Sequence, residues 1–169
     1  MERHLLREEN EFTETKDLLN AVHPGRNIVF LCQPNNPTGQ LAEPALVEAL
    51  LRRCEAVGAV LAVDDCVLDF LPEGEGLSAK HLLKNSKKLI ILKAFTKLYG
   101  MAGVRLGYCL CSDTELLARM RAAGQPWAVS SLAPAAGIAA LDETESVAKV
   151  RALLEAQRPE LAAGPRALG

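Results

Sequence analysis

Three strongly apolar segments recur about every thirty residues along the chain, a spacing that fits strands joined by crossover helices. They are residues 27–32 (NIVFLC), 59–64 (AVLAVD) and 88–93 (KLIILK), and a fourth segment follows at residues 105–111 (RLGYCLC). The first three are almost continuously apolar, which is typical of strands buried on both faces of a parallel sheet. The sequence therefore predicts an α/β fold with a mostly parallel sheet.

The first crossover predicts an amphipathic helix over residues 43–57. Pro44 suits its first turn, and Gly58 provides a stop signal at its end. Four residues form its apolar stripe: Leu46, Leu50, Cys54 and Val57. Because the charged residues lie mostly away from this stripe, we expect the helix to pack on the sheet.

Three further helices are predicted in the second half of the chain. Ser112 and Glu115 have the spacing of a capping box, so one helix is expected to begin at Ser112. Residues 131–141 and 142–157 carry the other two helical patterns. The last pattern ends at residue 157, and the tail after Pro159 stops on a proline and glycine interruption.

The composition is that of an ordinary globular domain. Of 169 residues, 49% are hydrophobic and 24% are charged, and the formal net charge is -2. The chain contains no run of lysine or arginine that could bind nucleic acid or an anionic membrane electrostatically, so neither is expected as a partner. No stretch has the length of a membrane span and no apolar signal core follows the first residues, which favours a cytoplasmic protein.

The five cysteines are interpreted as buried, reduced thiols. They are odd in number, lie mostly within apolar segments and form no CxxC pair. Because no zinc-binding spacing is present either, no metal site is expected.

Both ends of the chain are unlike those of a free-standing domain. Residues 1–21 are polar with one short helical pattern, and the tail after Pro159 (ELAAGPRALG) contains no closing strand. Central strands without neighbours would leave open edges in the sheet. We therefore expect the chain to be part of a larger protein.

Three polar clusters follow the first three predicted strands. The segment PNNPTG, which contains Asn36, follows the first strand, Asp64 and Asp65 close the second, and Thr96 and Lys97 follow the third. If these strands are parallel, all three clusters lie at the carboxyl edge, where open α/β sheets bind ligands. The pattern predicts a ligand site at this edge.

Each cluster taken alone also has a plain structural interpretation. PNNPTG is rich in turn-forming residues, and Asp64 could cap a turn or a helix. Lys97 could be a solvated surface lysine, and Arg105 an ordinary arginine at a strand edge. Their order along the chain favours a shared function.

That order resembles a known enzyme family. Asn36, Asp64, Lys97 and then Arg105 within FTKLYGMAGVRLGY are similar to the pyridoxal-phosphate enzymes of the class I and II aminotransferase family, nearest to its histidinol-phosphate aminotransferases and threonine-phosphate decarboxylases. The resemblance runs from the NIVFLC strand to PWAVSSLAPAAGIAAL at residues 126–141. It implies the fold type I large domain, a three-layer α/β sandwich with a mostly parallel sheet. Residues 1–169 would form part of that domain, with a helix-rich linker from about residue 142 and no small domain.

The resemblance also implies a role for each site residue. Lys97 would bond covalently to the aldehyde of pyridoxal 5'-phosphate and then move the α-proton of the substrate. Asp64 would keep the ring nitrogen protonated, which maintains the electron-withdrawing capacity of the cofactor. Asn36 would donate a hydrogen bond to the phenolic oxygen. Arg105 would bind the phosphate through its planar guanidinium, assisted by Thr96.

The chain departs from the family pattern at two positions near these residues. Val67 stands where many relatives have a tyrosine that reaches the phenolic oxygen, and Ala94 stands where they often have a serine or threonine on the phosphate. Lys97 itself is expected in an apolar setting of Phe95, Leu98 and Met101.

The function implied is that of a pyridoxal-phosphate enzyme, expected to be a homodimer and to act on a phosphorylated amino acid or amine. Transamination and decarboxylation both stay open, because the residues that select the bond to be broken are not identifiable here. The alternative is a noncatalytic α/β binding or assembly module, or an inactive fragment, that retains the motifs. Nicotinamide and nucleoside-triphosphate domains are disfavoured, because neither GxGxxG nor GxxxxGK[ST] occurs.

Overall fold

A computed structural model describes residues 2–166 of the chain. Its strands are β1 (Ile28–Cys32), β2 (Val60–Asp64), β3 (Leu89–Ala94) and β4 (Gly107–Leu110). Its α-helices are α1 (Asp17–Ala21), α2 (Pro44–Val57), α3 (Gly74–Leu77), α4 (Thr114–Ala123), α5 (Leu132–Leu141) and α6 (Thr144–Arg166). Short 3₁₀ helices cover Glu8–Asn10, Leu68–Phe70, Ala79–Asn85 and Ala102–Val104. No helix within residues 2–166 combines the length and apolar character needed to cross a membrane.

The four strands form one sheet in the order β1-β2-β3-β4. The first three are parallel and β4 is antiparallel to β3, which confirms the predicted mostly parallel α/β fold. The register places Cys32 beside Asp64 and Asp64 beside Leu92, so β1, β2 and β3 end at nearly the same level. This alignment brings the three loops that follow them to one edge of the sheet.

The helix α2 covers one face of the sheet, as its apolar stripe predicts. Leu50 and Cys54 are fully buried in the core, together with Leu61 and Ile91 of the sheet. Complete burial of a side chain such as Leu50 contributes about 1.5 to 3 kcal/mol. The helix ends at Gly58, which has a φ of 78° and so provides the left-handed C-cap that only glycine adopts without strain.

The second crossover contains only short helical pieces: Leu68–Phe70, α3 and Ala79–Asn85. The room that the strand spacing leaves for a crossover helix is therefore not filled by one continuous helix here. Pro72, Gly74 and Gly76 interrupt the segment, because proline removes a backbone donor and glycine disfavours helix propagation.

The boundaries of the C-terminal helices differ from prediction at two places. The helix α4 is capped by Asp113, whose Oδ1 accepts from the amide of Leu116 at 2.9 Å, and Ser112 instead donates to the carbonyl oxygen of Ser86. The helix α6 spans Thr144–Arg166 and continues through Pro159, so the predicted end at residue 157 is wrong. Met1 and residues 167–169 lie outside the described residues.

Two burial expectations also need correction. Phe30 of β1 is 70% exposed and Ile28 is 45% exposed, because β1 is an edge strand and one of its faces is open in the described chain. Only Cys54 among the cysteines is fully buried, while the other four are half-buried free thiols: Cys32, Cys66, Cys109 and Cys111. They lie at the ends of strands or on β4, away from the centre of the core.

Candidate active site

The sheet's hydrogen-bond ladder continues past the ends of β1 and β2 and joins the first residues of the loops. The amide of Gln33 donates to the carbonyl oxygen of Asp64 at 2.9 Å, and the amide of Asp65 donates to that of Leu92 at 3.0 Å. The loops carrying Asn36, Asp64 and Lys97 therefore start from one rigid edge. The sequence prediction that the three clusters follow parallel strands at one edge of the sheet is confirmed.

The PNNPTG segment forms a tight turn with its own hydrogen bonds. The amide of Asn35 donates to the carbonyl of Gln40 at 2.8 Å, and that of Gly39 donates to the carbonyl of Asn35 at 2.7 Å. The buried side chain of Gln33 braces the turn through two hydrogen bonds to the backbone of Ala42, at 2.9 and 3.0 Å. Asn36 is exposed within this turn, and its side chain forms no hydrogen bond with the described residues.

Asp64 is half-buried at the end of β2. Its Oδ1 accepts from the amide of Cys66 at 3.0 Å, which fixes the carboxylate against its own loop. Because side chains alternate along a strand, Asp64 and its neighbour Cys32 share one face of the sheet, while Asp65 lies on the face covered by α2.

The two thiols near Asp64 are poor nucleophiles. Burial raises the pKa of Cys66 to about 12, and it also raises that of Cys32. Only a thiolate reacts efficiently, so both residues are inert neutral thiols near neutral pH. Among these three side chains, Asp64 is therefore the one that can serve as an acidic partner for a ligand.

Lys97 lies in the bend that follows β3. Phe95 and Leu98 on either side of it are buried, and the amide of Gly100 donates to the carbonyl of Lys97 at 3.0 Å. The side chain of Lys97 is nevertheless exposed, so the expected apolar setting for its amine is wrong for the described chain. Buried neighbours hold the backbone while the amine extends from the surface.

The residue predicted to bind phosphate lies just beyond this bend. Arg105 is exposed and adopts a left-handed φ of 56°, so it precedes β4, which begins at Gly107, and is not part of the strand as expected. One guanidinium nitrogen donates to the carbonyl of Ala102 at 3.1 Å. Thr96 is half-buried beside Lys97.

An aromatic cluster packs beneath the lysine segment. The ring of Phe95 lies 5.1 Å from that of Tyr99 and 5.9 Å from that of Tyr108, between centroids. Gly137 of α5 approaches Leu106 and Phe95 so closely that a Cβ there would touch both. The helix α5 thereby supports the loop that carries Lys97.

A buried ionic cluster lies on the opposite face, and the sequence reasoning did not find it. Lys93 donates to Asp69 Oδ1 at 2.8 Å and lies 3.9 Å from Asp65 Oδ2, which also accepts from the hydroxyl of Ser78 at 2.6 Å. Burial raises the pKa of Asp65, although Ser78 and Lys93 act in the opposite direction. The available sequence signal was a lysine inside the apolar segment KLIILK.

The family model for aminotransferase class I and II matches residues 3–168. The chain belongs to the class I and II aminotransferase family. The fold expected from the resemblance is confirmed, and so is membership of a family of enzymes dependent on pyridoxal 5'-phosphate.

Two curated relatives illustrate the range of activities within the aminotransferase family. The chain is 39% identical to threonine-phosphate decarboxylase of Salmonella typhimurium, over 84% of its own length and 38% of that protein. It is 37% identical to histidinol-phosphate aminotransferase of Symbiobacterium thermophilum, over 88% of its own length and 40% of that protein. The chain thus spans less than half of these relatives.

Solved aminotransferase structures have the same fold. Histidinol-phosphate aminotransferase from Clostridium acetobutylicum matches with a TM-score of 0.77 at 26% identity, over 85% of this chain and 42% of that one. N-Succinyldiaminopimelate aminotransferase from Mycobacterium tuberculosis matches with a TM-score of 0.75 at 27% identity, over 93% and 42%.

Proposed function

We propose that the protein containing this chain is a pyridoxal-phosphate enzyme that transaminates or decarboxylates a phosphorylated amino acid or amine. We also propose that the chain forms part of the large, cofactor-binding domain of a homodimer. The observation that carries the proposal is the common origin of Asn36, Asp64 and Lys97 at one edge of three hydrogen-bonded parallel strands. A phosphorylated substrate is proposed because both curated relatives named above carry phosphate in the names of their substrates.

The residues at this edge fit the polar groups of pyridoxal 5'-phosphate. The exposed amine of Lys97 suits an aldehyde, and the carboxylate of Asp64 suits a protonated ring nitrogen. The exposed amide of Asn36 can donate to the phenolic oxygen. Arg105 uses one guanidinium nitrogen within the chain, and its remaining donors can bind phosphate.

Asp64 is the residue that holds a proton at the ring nitrogen. The amide of Cys66 donates to its Oδ1 and orients the carboxylate, so the acceptor is in place before a ligand arrives. When bound, pyridoxal 5'-phosphate supplies an electron sink for the substrate's α-carbon.

Lys97 has two roles in this proposal, as the covalent attachment point and as the group that moves a proton. Its buried neighbours Phe95 and Leu98 fix the backbone, while its long side chain stays mobile enough to reach both an aldehyde and an α-carbon. General acid and base work of this kind contributes about 10²- to 10⁴-fold to a rate.

The experiment adds pyridoxal 5'-phosphate to the protein, records visible absorbance, reduces with borohydride and maps the modified peptide by mass spectrometry. We expect one reduced adduct, on Lys97, and its loss in Lys97→Ala. Lys84→Ala is the control and should keep the adduct, because Lys84 is an exposed lysine outside the site. Turnover assays then distinguish the two reactions. Release of carbon dioxide from threonine phosphate indicates decarboxylation, and amino transfer from histidinol phosphate indicates transamination. A noncatalytic module would give neither adduct nor turnover.

A further inference from the structure

We propose that Lys93 is a positioning residue, whose buried amine, held between Asp69 and Asp65, fixes the strand end that presents Asp64 to the cofactor. This inference rests on the proposed function. It assigns a task to an ionic cluster that lies on the other face of the sheet from the site.

Two members of the cluster, Lys93 and Asp65, are almost completely removed from water. Lys93 is 5% exposed and Asp65 is fully buried, whereas Asp69 is half-buried. Lys93 Nζ lies 2.8 Å from Asp69 Oδ1 and 3.9 Å from Asp65 Oδ2. Burying an ion is costly unless a partner compensates it, so each member of such a cluster depends strongly on the others.

Apart from Lys93, the carboxyl group of Asp65 has few polar partners. Its Oδ2 accepts from Ser78 at 2.6 Å, but its Oδ1 is buried and receives no hydrogen bond from the described residues. Removal of the Lys93 charge would leave a buried carboxyl group with one neutral donor. Asp65 would then become protonated or move, because an uncompensated buried charge is strongly disfavoured.

Movement of Asp65 is transmitted to Asp64 through a short stretch of backbone. The two residues are consecutive, and their side chains lie on opposite faces of the sheet. The amide of Asp65 donates to Leu92 at 3.0 Å, and the amide of Cys66 donates to Asp64 Oδ1 at 3.0 Å. A rotation of this segment therefore changes the direction of the Asp64 carboxylate.

The same cluster is tied to the long helix α6. Arg151 donates through Nε and Nη2 to the carbonyl oxygen of Asp69, at 3.0 and 2.7 Å. Most residues of α6 are exposed, so this pair of hydrogen bonds is a defined point of attachment. Arg151 holds the segment whose carboxylate binds Lys93, and its loss should weaken the same positioning without introducing a buried unpaired charge.

The test measures the dissociation constant for pyridoxal 5'-phosphate and the pH profile of its bound absorbance. Lys93→Met is expected to weaken binding about tenfold or more and to displace the pH profile, since small misplacements of site groups are costly. Lys93→Arg retains the charge and should recover most of the wild-type behaviour. Lys84→Met is the control, because it removes the charge of an exposed lysine in the same crossover that forms no ion pair with the cluster in the described chain.

Thermal unfolding midpoints are measured for each variant, so that a loss of cofactor binding can be distinguished from a loss of stability. If Lys93→Met folds and has the wild-type affinity and pH profile, the inference is overturned. If Lys93→Met does not fold, Arg151→Met decides: weaker cofactor binding supports the inference, and unchanged binding and pH profile overturn it. Absence of any bound-cofactor absorbance in the wild-type protein would instead overturn the proposed function.

Discussion

The amide of Gln33 donates to the carbonyl oxygen of Asp64 at 2.9 Å, one residue beyond the end of β1. This hydrogen bond joins the loop that carries Asn36 to the strand end that carries Asp64. Both residues are proposed to bind the same cofactor ring, and this hydrogen bond fixes the start of the Asn36 loop to the strand end of Asp64. Sites built on strand ends are held more accurately than sites on free loops.

Asp64→Asn should uncouple cofactor attachment from turnover. Asparagine retains an oxygen that can accept from the Cys66 amide, but it carries no charge to keep the ring nitrogen protonated. We expect the reduced adduct on Lys97 to persist while kcat falls about a hundredfold or more, as for other electrostatic groups of active sites. Adduct mapping and steady-state kinetics on both candidate substrates measure the two effects. Glu75→Gln, an acid-to-amide change at an exposed residue, is the control, and full turnover in Asp64→Asn would refute the role of Asp64.

Arg105→Gln should weaken binding of the phosphate group specifically. A hydrogen bond to a charged partner contributes about 1.5 to 3 kcal/mol, which corresponds to about a tenfold to hundredfold loss of affinity for pyridoxal 5'-phosphate. Pyridoxal, which lacks the phosphate, should bind the variant and the wild-type protein equally. Fluorescence titration with the two ligands measures the difference. Arg52→Gln changes an exposed arginine of α2 and should alter neither affinity; an equal loss for both ligands would assign Arg105 a general structural role.

Asp113→Ala should reduce stability at neutral pH and have progressively less effect in acid. The amide of Leu116 lowers the pKa of Asp113 below its ordinary value of 3.8, so the folded chain stabilises the carboxylate. That contribution is present above pH 3.8 and disappears as the pH falls through the lowered pKa. Denaturant unfolding at neutral pH and at about pH 2 measures it. Asp113→Asn, which retains a capping oxygen, should lose less stability than alanine at neutral pH. Equal destabilisation by Asp113→Ala at both pH values would contradict the capping role.

The sequence predicts the elements of this chain better than it predicts their environments. The apolar segment 27–32 becomes Ile28–Cys32, and the predicted helix 43–57 becomes Pro44–Val57, because both patterns are local. Exposure depends on neighbours that local patterns do not specify, which is why Phe30 is exposed despite its apolar segment.

In the candidate site, too, the sequence predicts what local patterns determine and misses contacts between residues that are distant in the chain. The convergence of Asn36, Asp64 and Lys97 follows from strand direction, which apolar runs and crossover lengths indicate. The cluster around Lys93 joins residues 24 positions apart in the chain, and no local pattern pairs Lys93 with Asp69. The capping residue of α4 is a smaller case, since Ser112 and Asp113 are both good caps by residue type and only the folded structure shows that Asp113 accepts from Leu116.

Gly74→Ala should destabilise the second crossover, whereas Gly76→Ala should not. A Cβ at Gly74 would overlap the backbone oxygen of Leu68, a buried residue that cannot move without disturbing the core. We expect a loss of about 1 to 3 kcal/mol in the free energy of unfolding, as for other overpacked sites. A Cβ at Gly76, in the same helix α3, has nothing within 4 Å, so alanine there should be neutral or stabilising by up to about 1 kcal/mol. Urea unfolding of the two variants measures this contrast, and equal stabilities would show that the crossover adjusts around Gly74. Because Asp69 and Ser78 lie on either side of α3, the Gly74 variant should also disturb the hydrogen bond from Ser78 to Asp65.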